Sequence, residues 1–189
     1  MTVEKTAVTA VAGLMALAAR TAPKARGQDA ILVRVLITSE LKELSGAMIT
    51  YGETHENARF FLRDAENIAA SDACVLVGVL GKQVVGINCG ACGYASCTAF
   101  TKSAQGATAK KRPTPFDGPS CAVRMTDLGI ALGSAVKTAQ IHNVDNRIMY
   151  SAGSTAISLG LLGKDCTAAF AIPLSASGKN IFFDRDVAK

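Results

Sequence analysis

No tryptophan occurs in this 189-residue chain, and aromatic side chains make up only 5% of it. Single-stranded nucleic acid is read by a basic groove interleaved with stacking rings. Here the one dense basic run, Lys110-Lys111-Arg112, has only Phe116 nearby, so the net charge of +5 predicts a solvated loop and no nucleic-acid partner. Long apolar runs are also missing. Lys, Arg, Asp or Glu interrupts every candidate before the roughly 18–20 residues a membrane helix needs, which predicts no membrane span. The two histidines, His55 and His142, lie far apart and outside any metal-ligand spacing. No Ser or Cys occupies a nucleophile elbow, and no glycine-rich loop ends in Lys-Ser or Lys-Thr, so hydrolysis and a nucleotide fingerprint lack candidates. Asp184 and Asp186 read as a solvated tail. The N-terminus opens on Glu4 and an alanine-rich stretch without the basic start and apolar core of a secretory signal, which predicts a cytoplasmic, reducing setting.

What the chain does have is apolar bulk and cysteine. Hydrophobic residues make up 49% of the positions, enough for one domain with a full core and one insertion. Four of the six cysteines stand in one stretch, Cys89-Gly-Ala-Cys92-Gly-Tyr-Ala-Ser-Cys97 and then Cys121. An iron–sulfur cubane needs four thiolates converging on one point, and two residues between the first pair let a single turn deliver two sulfurs to neighbouring irons. Gly90 and Gly93 let the backbone bend tightly and turn its N–H groups toward the cluster. Structural zinc also takes four thiolates but favours two short pairs, whereas the third and fourth cysteines here are singletons. Disulfides need an oxidising compartment. Packing cysteines need bulkier neighbours than glycine, alanine and serine.

The run Cys-Gly-x-Cys-Gly-x-x-x-Cys with a remote fourth cysteine resembles the small 4Fe-4S domain of electron-transfer subunits of membrane redox complexes and of corrinoid iron–sulfur proteins. That resemblance implies Cys89, Cys92, Cys97 and Cys121 as ligands. The gap from Cys97 to Cys121 is longer than that family's. Cys74 and Cys166 are the alternatives for the fourth place, and both sit in continuous apolar runs that predict core positions.

Helical spacing of Val3, Ala7, Val11, Leu14 and Leu17 predicts a first helix over residues 3–20, stopped by Pro23 and Gly27. Ile31–Thr38 predicts a strand whose Arg34 must find a partner. Ser39 is expected to cap a helix running to about Gly52. A further amphipathic helix is expected over Glu56–Ala70, with Phe60, Phe61, Ala65 and Ile68 on one side. Asp72–Leu80 predicts a second buried strand. Helices are expected over Thr126–Ala139 and Asn146–Leu162, the latter with Gly153 and Gly160 either weakening it or marking close approach of another backbone. Cys166–Leu174 and Asn180–Phe183 are expected as the last strands. The alternation predicts an α+β domain, split into residues 1–83 and 124–189 by a cluster-bearing insertion over 84–123.

The stretch from Ala18 through Pro23 to Gly27, followed by a strand, is similar to the first helix and loop of the nitroreductase family of flavoenzymes. Ser71–Val77 resembles that family's central strand, and Ala152–Ala156 through Leu159–Gly163 its late helix and glycine turn. The whole arrangement, ending in residues 172–185, also resembles a prokaryotic family described as ferredoxin-domain-containing. The nitroreductase likeness implies a three-layer sandwich and a homodimer with FMN at the subunit interface. The family's arginine-rich stretch ahead of the first helix has no counterpart, since no arginine precedes Arg20. Lys24, Arg26 and Gly27, and Lys179 after Ser177-Gly178, are the positions whose charge and flexible backbone suit a flavin phosphate. Ordinary turn chemistry is the alternative at each. Two functions follow as expectations: an electron carrier with one 4Fe-4S cluster and a redox partner protein, or an iron–sulfur flavoenzyme using FMN to reduce a small molecule.

Overall fold

The computed structural model describes residues 2–108 and 114–183. The chain begins with α1 (Val3–Thr21), a helix whose first turn is capped by the Thr2 hydroxyl accepting from Lys5 N at 3.3 Å. After it come β1 (Ile31–Ile37), α2 (Ser39–Thr54), α3 (Phe60–Ala70), β2 (Ala73–Val79), α4 (Cys97–Thr108), α5 (Ala122–Ile141), β3 (Asp145–Asn146), α6 (Tyr150–Ser158) and β4 (Ala168–Ser175). The strands pair antiparallel in the order β1-β2-β4-β3.

Every residue of β2 is buried, because helices cover both faces of the sheet. Side chains alternate across a strand, so Ala73, Val75, Val77 and Val79 pack with Ile172 and Leu174 against α1 and α5. Cys74 and Leu76 point the other way, packing with Ala169 and Ala171 against α2, α3 and α6. The result is a helix–sheet–helix sandwich of the α+β class. Gly153 lets α6 lie directly on β4: a Cβ there would collide with the Ala169 carbonyl and the Phe170 backbone. Arg34 reaches its polar exit through Leu161 O at 3.0 Å and Glu40 Oε1 at 2.7 Å.

Several expected boundaries shift. Ser39 is the first helical residue of α2 and not its cap; the cap is Thr38 at φ 48°, with Ile37 N donating to the Glu40 carboxylate at 3.3 Å. The helix expected over Glu56–Ala70 is divided into a single 3-10 turn, Glu56–Ala58, and α3, Phe60–Ala70; Phe60 stands 41% exposed while Phe61 is buried. The segment expected to be helical from Asn146 first pairs as β3, and its helix runs only over Tyr150–Ser158. Asn180–Phe183 is a turn stabilised by Asn180 Oδ1 accepting from Phe182 N at 3.0 Å, and not a strand. Lys110-Lys111-Arg112, Asp184 and Asp186 lie outside the described residues.

Candidate metal centre

The chain leaves the sheet at the end of β2 and returns to the same point before α5. Leu80 N donates to Ala30 O at 2.9 Å, Gly81 N to the Thr167 hydroxyl at 2.9 Å, and Cys121 N to Gly81 O at 2.7 Å. Cys121 is thus stitched to the strand end although it lies forty residues further along. Between these anchors a loop turns repeatedly through left-handed backbone, at Gly86 (φ 83°), Asn88 (φ 50°), Gly90 (φ 73°) and Gly93 (φ 82°). Gly90 and Gly93 carry the bends that cysteines at 89 and 92 require, and Gly93 N closes one of them on Gly90 O at 2.9 Å. Asn88 was not singled out by the sequence reading. It tolerates the left-handed region and its Oδ1 accepts from Cys97 N at 2.8 Å, which starts α4.

Cys89, Cys92, Cys97 and Cys121 all line one concavity, with Val85, Tyr94 and Val123 among its other walls. Cys89 is exposed, Cys92 and Cys97 are half-buried, and Cys121 is buried. Behind them lies a small core separate from the sandwich, made of Val85, Phe100, Ala104 and Cys121, with Cys92 packed against it. Tyr94 meets Phe100 edge-on at 5.4 Å and its hydroxyl lies 3.0 Å from that of Ser103. Cys97 opens α4 and Cys121 is the N-cap of α5, so the positive ends of two helices stand at the sulfurs. Among the described residues no three His, Cys, Asp or Glu side chains gather closely enough for a single metal ion. Thiolates that each hold a separate iron of a cubane stand farther apart than the donors of one ion.

A buried ion pair holds this end of the molecule together. Arg124 is 2% exposed and donates to Asp127 Oδ2 at 3.1 Å, Gln28 O at 2.8 Å, Gln28 Oε1 at 2.9 Å and Gln83 O at 2.9 Å. Asp127 Oδ1 accepts from Ala25 N at 2.9 Å. The pair thereby ties α5, one turn past Cys121, to the loop between α1 and β1 and to the start of the cysteine loop. It could not be read from the sequence, because its partners are backbone groups about 40 and 100 residues away.

Cys74 and Cys166 lie in the core on the α2, α3 and α6 face. Burial pushes the Cys74 thiol up to about 12 and raises that of Cys166 as well, so both environments favour the neutral thiol.

The four positions suited to a flavin phosphate do not meet within one chain. Lys24 turns its ammonium onto the last carbonyls of α1, donating to Ala22 O at 2.8 Å and to Arg20 O. Arg26, at φ 56°, reaches Val85 O at 3.4 Å, and Gly27 follows at φ 66°. Lys179 belongs to a turn whose Ser177 hydroxyl bonds Lys179 O at 2.6 Å. That turn's Ser177 and Gly178 share a hollow with Thr2 and Lys5 at the opposite end of α1. A helix of 19 residues is about 28 Å long, so a single phosphate on one chain cannot touch both ends.

A family model described as "Uncharacterized protein containing a ferredoxin domain (DUF2148)" matches residues 117–185. An uncharacterized protein of Archaeoglobus fulgidus is 42% identical over 172 residues, covering 91% of this chain and 88% of the relative. Among solved structures, the FMN-dependent nitroreductase NfnB of Mycobacterium smegmatis, in complex with NADPH, superposes with a TM-score of 0.59 at 9% identity, covering 96% of this chain and 84% of that one. A nitroreductase with bound FMN from Desulfitobacterium hafniense DCB-2 gives 0.58 at 14% identity, covering 90% and 78%. At such identities the likeness establishes a nitroreductase-like fold and nothing about ligands.

Proposed function

Because the chain belongs to the family of proteins containing a ferredoxin domain, we propose that it is an electron carrier holding one 4Fe-4S cluster on Cys89, Cys92, Cys97 and Cys121. The observation that carries this reading is that all four line one concavity whose rim includes two helix N-termini. Residues 84–123 then form the cluster-bearing insertion between two parts of a nitroreductase-like domain, 1–83 and 124–189. Bound there, the cluster supplies one-electron redox chemistry. The chain's part is to bring two helix N-termini to Cys97 and Cys121, to present backbone N–H groups from the Gly90 and Gly93 bends, and to back the site with Val85 and Phe100, which limits water. The exposed Cys89 marks the side from which a redox partner protein approaches. Free cysteines suit a reducing, cytoplasmic setting. Among the described residues no helix is long and apolar enough to cross a membrane.

A second reading, an iron–sulfur flavoenzyme, draws support from the fold shared with FMN-binding nitroreductases. In it Lys24, Arg26 and Gly27 of one subunit and Lys179 of another serve the flavin phosphate, and the separation of these positions by the length of α1 makes a homodimer a requirement. The test is elemental. Protein made and kept without oxygen is expected to carry iron and acid-labile sulfide in about fourfold ratio to chain. Zinc in their place overturns the proposal. Flavin released by acid and measured by fluorescence separates the readings: stoichiometric FMN promotes the enzyme, and its absence leaves the carrier.

A further inference from the structure

On the opposite side of the returning strand lies a slot that the cysteine site does not use. The edge of β4 pairs with β3 and then with Met149, and just ahead of β4 the strap Thr114–Asp117 joins it, where Asp117 N donates to Thr167 O at 2.8 Å and the Phe116 ring packs against Phe170 at 5.8 Å and Tyr150 at 5.2 Å. Between this strap and the helices α2, α3 and α6 opens a cavity of about 460 Å3, within the range of small-molecule sites. One wall is aromatic. Tyr51 and His55 stack at 4.0 Å with their planes 14° apart, and Phe61 lies 4.7 Å from Tyr51. Such a wall in a chain with so few aromatics is a surface for another planar ring.

The polar groups facing the slot are acceptors. Ser154 and Thr155 give their hydroxyl protons to Ser151 O, each at 2.9 Å, and Ser158 gives its own to Thr155 O at 2.7 Å. Thr114 donates to Phe116 O at 2.9 Å. Each oxygen therefore turns lone pairs outward. His55 Nδ1 lies 3.0 Å from both the Thr54 hydroxyl and Tyr51 O; Tyr51 O can only accept, and the tautomer that donates to it leaves Nε2 as an acceptor too. Among the described residues no Lys or Arg lines the slot, and the Asp117 carboxylate is matched by Lys82 at 2.6 Å. Among the described residues an anion finds no countercharge and a cation finds the carboxylate already paired.

We propose that this slot binds an uncharged, planar aromatic heterocycle bearing amino donors, with its ring against Tyr51, His55 and Phe61 and its N–H groups toward the serine and threonine oxygens of α6. The assignment stands apart from the cluster, since none of its residues is a proposed ligand. The test is calorimetric titration of the anaerobically purified protein with adenosine as probe, beside purine riboside, which lacks only the amino group, and AMP, which adds only the phosphate. Adenosine is expected to saturate a single site, with purine riboside about tenfold weaker for the lost donor and AMP weaker again. No heat with millimolar adenosine, or equal affinity for purine riboside or AMP, overturns the proposal. Ser158→Trp, which fills the slot, is expected to abolish binding while leaving the visible absorbance unchanged, and retained affinity in that variant overturns the location. Should its melting temperature fall, Thr155→Val takes its place: it removes one acceptor at constant shape, is expected to weaken adenosine several-fold, and overturns the location if it does not.

Discussion

Cysteine occupies two regions of this molecule, and the regions treat the same side chain in opposite ways. In the sandwich, Cys74 on β2 and Cys166 ahead of β4 have no exposure to speak of and take part in the packing of α2, α3 and α6. Cys166 Sγ occupies the space above Gly78 that a Cβ would claim. In the loop region, four cysteines stand around one concavity, most of them reachable by solvent and two of them at helix N-termini. Burial among apolar neighbours favours the neutral thiol at Cys74 and Cys166, whereas in the loop region Cys89 is exposed and Cys92 and Cys97 are half-buried. The difference teaches that what a cysteine is available for here is a property of its surroundings and not of cysteine content.

The sharpest way to break this contrast is to exchange one cysteine from each region for alanine. Cys92→Ala is expected to abolish the visible absorbance near 400 nm and to drop bound iron to background, whereas Cys166→Ala keeps both and costs on the order of 1 kcal/mol in packing. Anaerobic absorbance, iron analysis and urea unfolding read all three. Cluster loss in Cys166→Ala with retention in Cys92→Ala would reverse the assignment.

The next largest effect is expected where the two regions join. Arg124→Ala strips the partner from the buried Asp127 and leaves Gln28 O and Gln83 O without their donor, so unfolding is expected to require about 3–5 kcal/mol less. Because the pair holds Cys121's helix to both flanking loops, iron retention in a chelator challenge should fall along with stability. Unchanged stability would mean that the loop region docks without this pair.

How far each region was legible in the sequence follows from the same contrast. The sandwich was largely readable, because the uninterrupted run of β2 reports burial directly. The extent of α1 was readable but its inner face was not: of the positions that predicted it only Val11 is buried, while Val3, Leu14 and Leu17 stand exposed and Val8, Ala12 and Met15 face the sheet. Gly153 was readable too, as a small residue in a helix that had to meet a backbone closely. The misses were local. Ser39 carries the side chain a cap needs, yet the turn placed Thr38 there and used Glu40 to satisfy Ile37 N. The segment at Asn146 was drawn into the sheet by Ser175 and Leu174, partners that no local pattern reveals. In the loop region the cysteine spacing was plain, but Asn88, Arg124 and the aromatic slot were not, since each depends on contacts between distant parts of the chain.

A smaller effect tests the sandwich side of the comparison by pH. The folded Cys74 thiol is pushed from its ordinary value of 9.0 up to about 12, with burial the leading cause. Between these values the unfolded chain releases the proton and the folded chain keeps it, so stability conferred below pH 9 is lost as pH rises toward 12. Cys74→Ala should remove a slope of about 1.4 kcal/mol per pH unit from that window. Denaturant unfolding of both proteins across the window measures it. Parallel curves would mean that Cys74 is not shielded as described.

The smallest effect belongs to the loop region and concerns its rigidity. Asn88 spends its Oδ1 on the first N–H of α4, the residue that is also Cys97. Asn88→Ala removes that acceptor and places a less tolerant residue at φ 50°, for a cost of about 1 kcal/mol. Asn88→Gly keeps the backbone freedom and loses only the cap, so it is expected to fall between the two. The global melting temperature should move little for either variant, because α4 packs on the small core and not on the sandwich. Local opening is the place to look: amide exchange at Cys97 and its neighbours should speed up in the order wild type, Asn88→Gly, Asn88→Ala. An unchanged exchange rate in both variants would show that Cys97 is held by the small core alone, and the two regions would then differ in burial but not in how their cysteines are positioned.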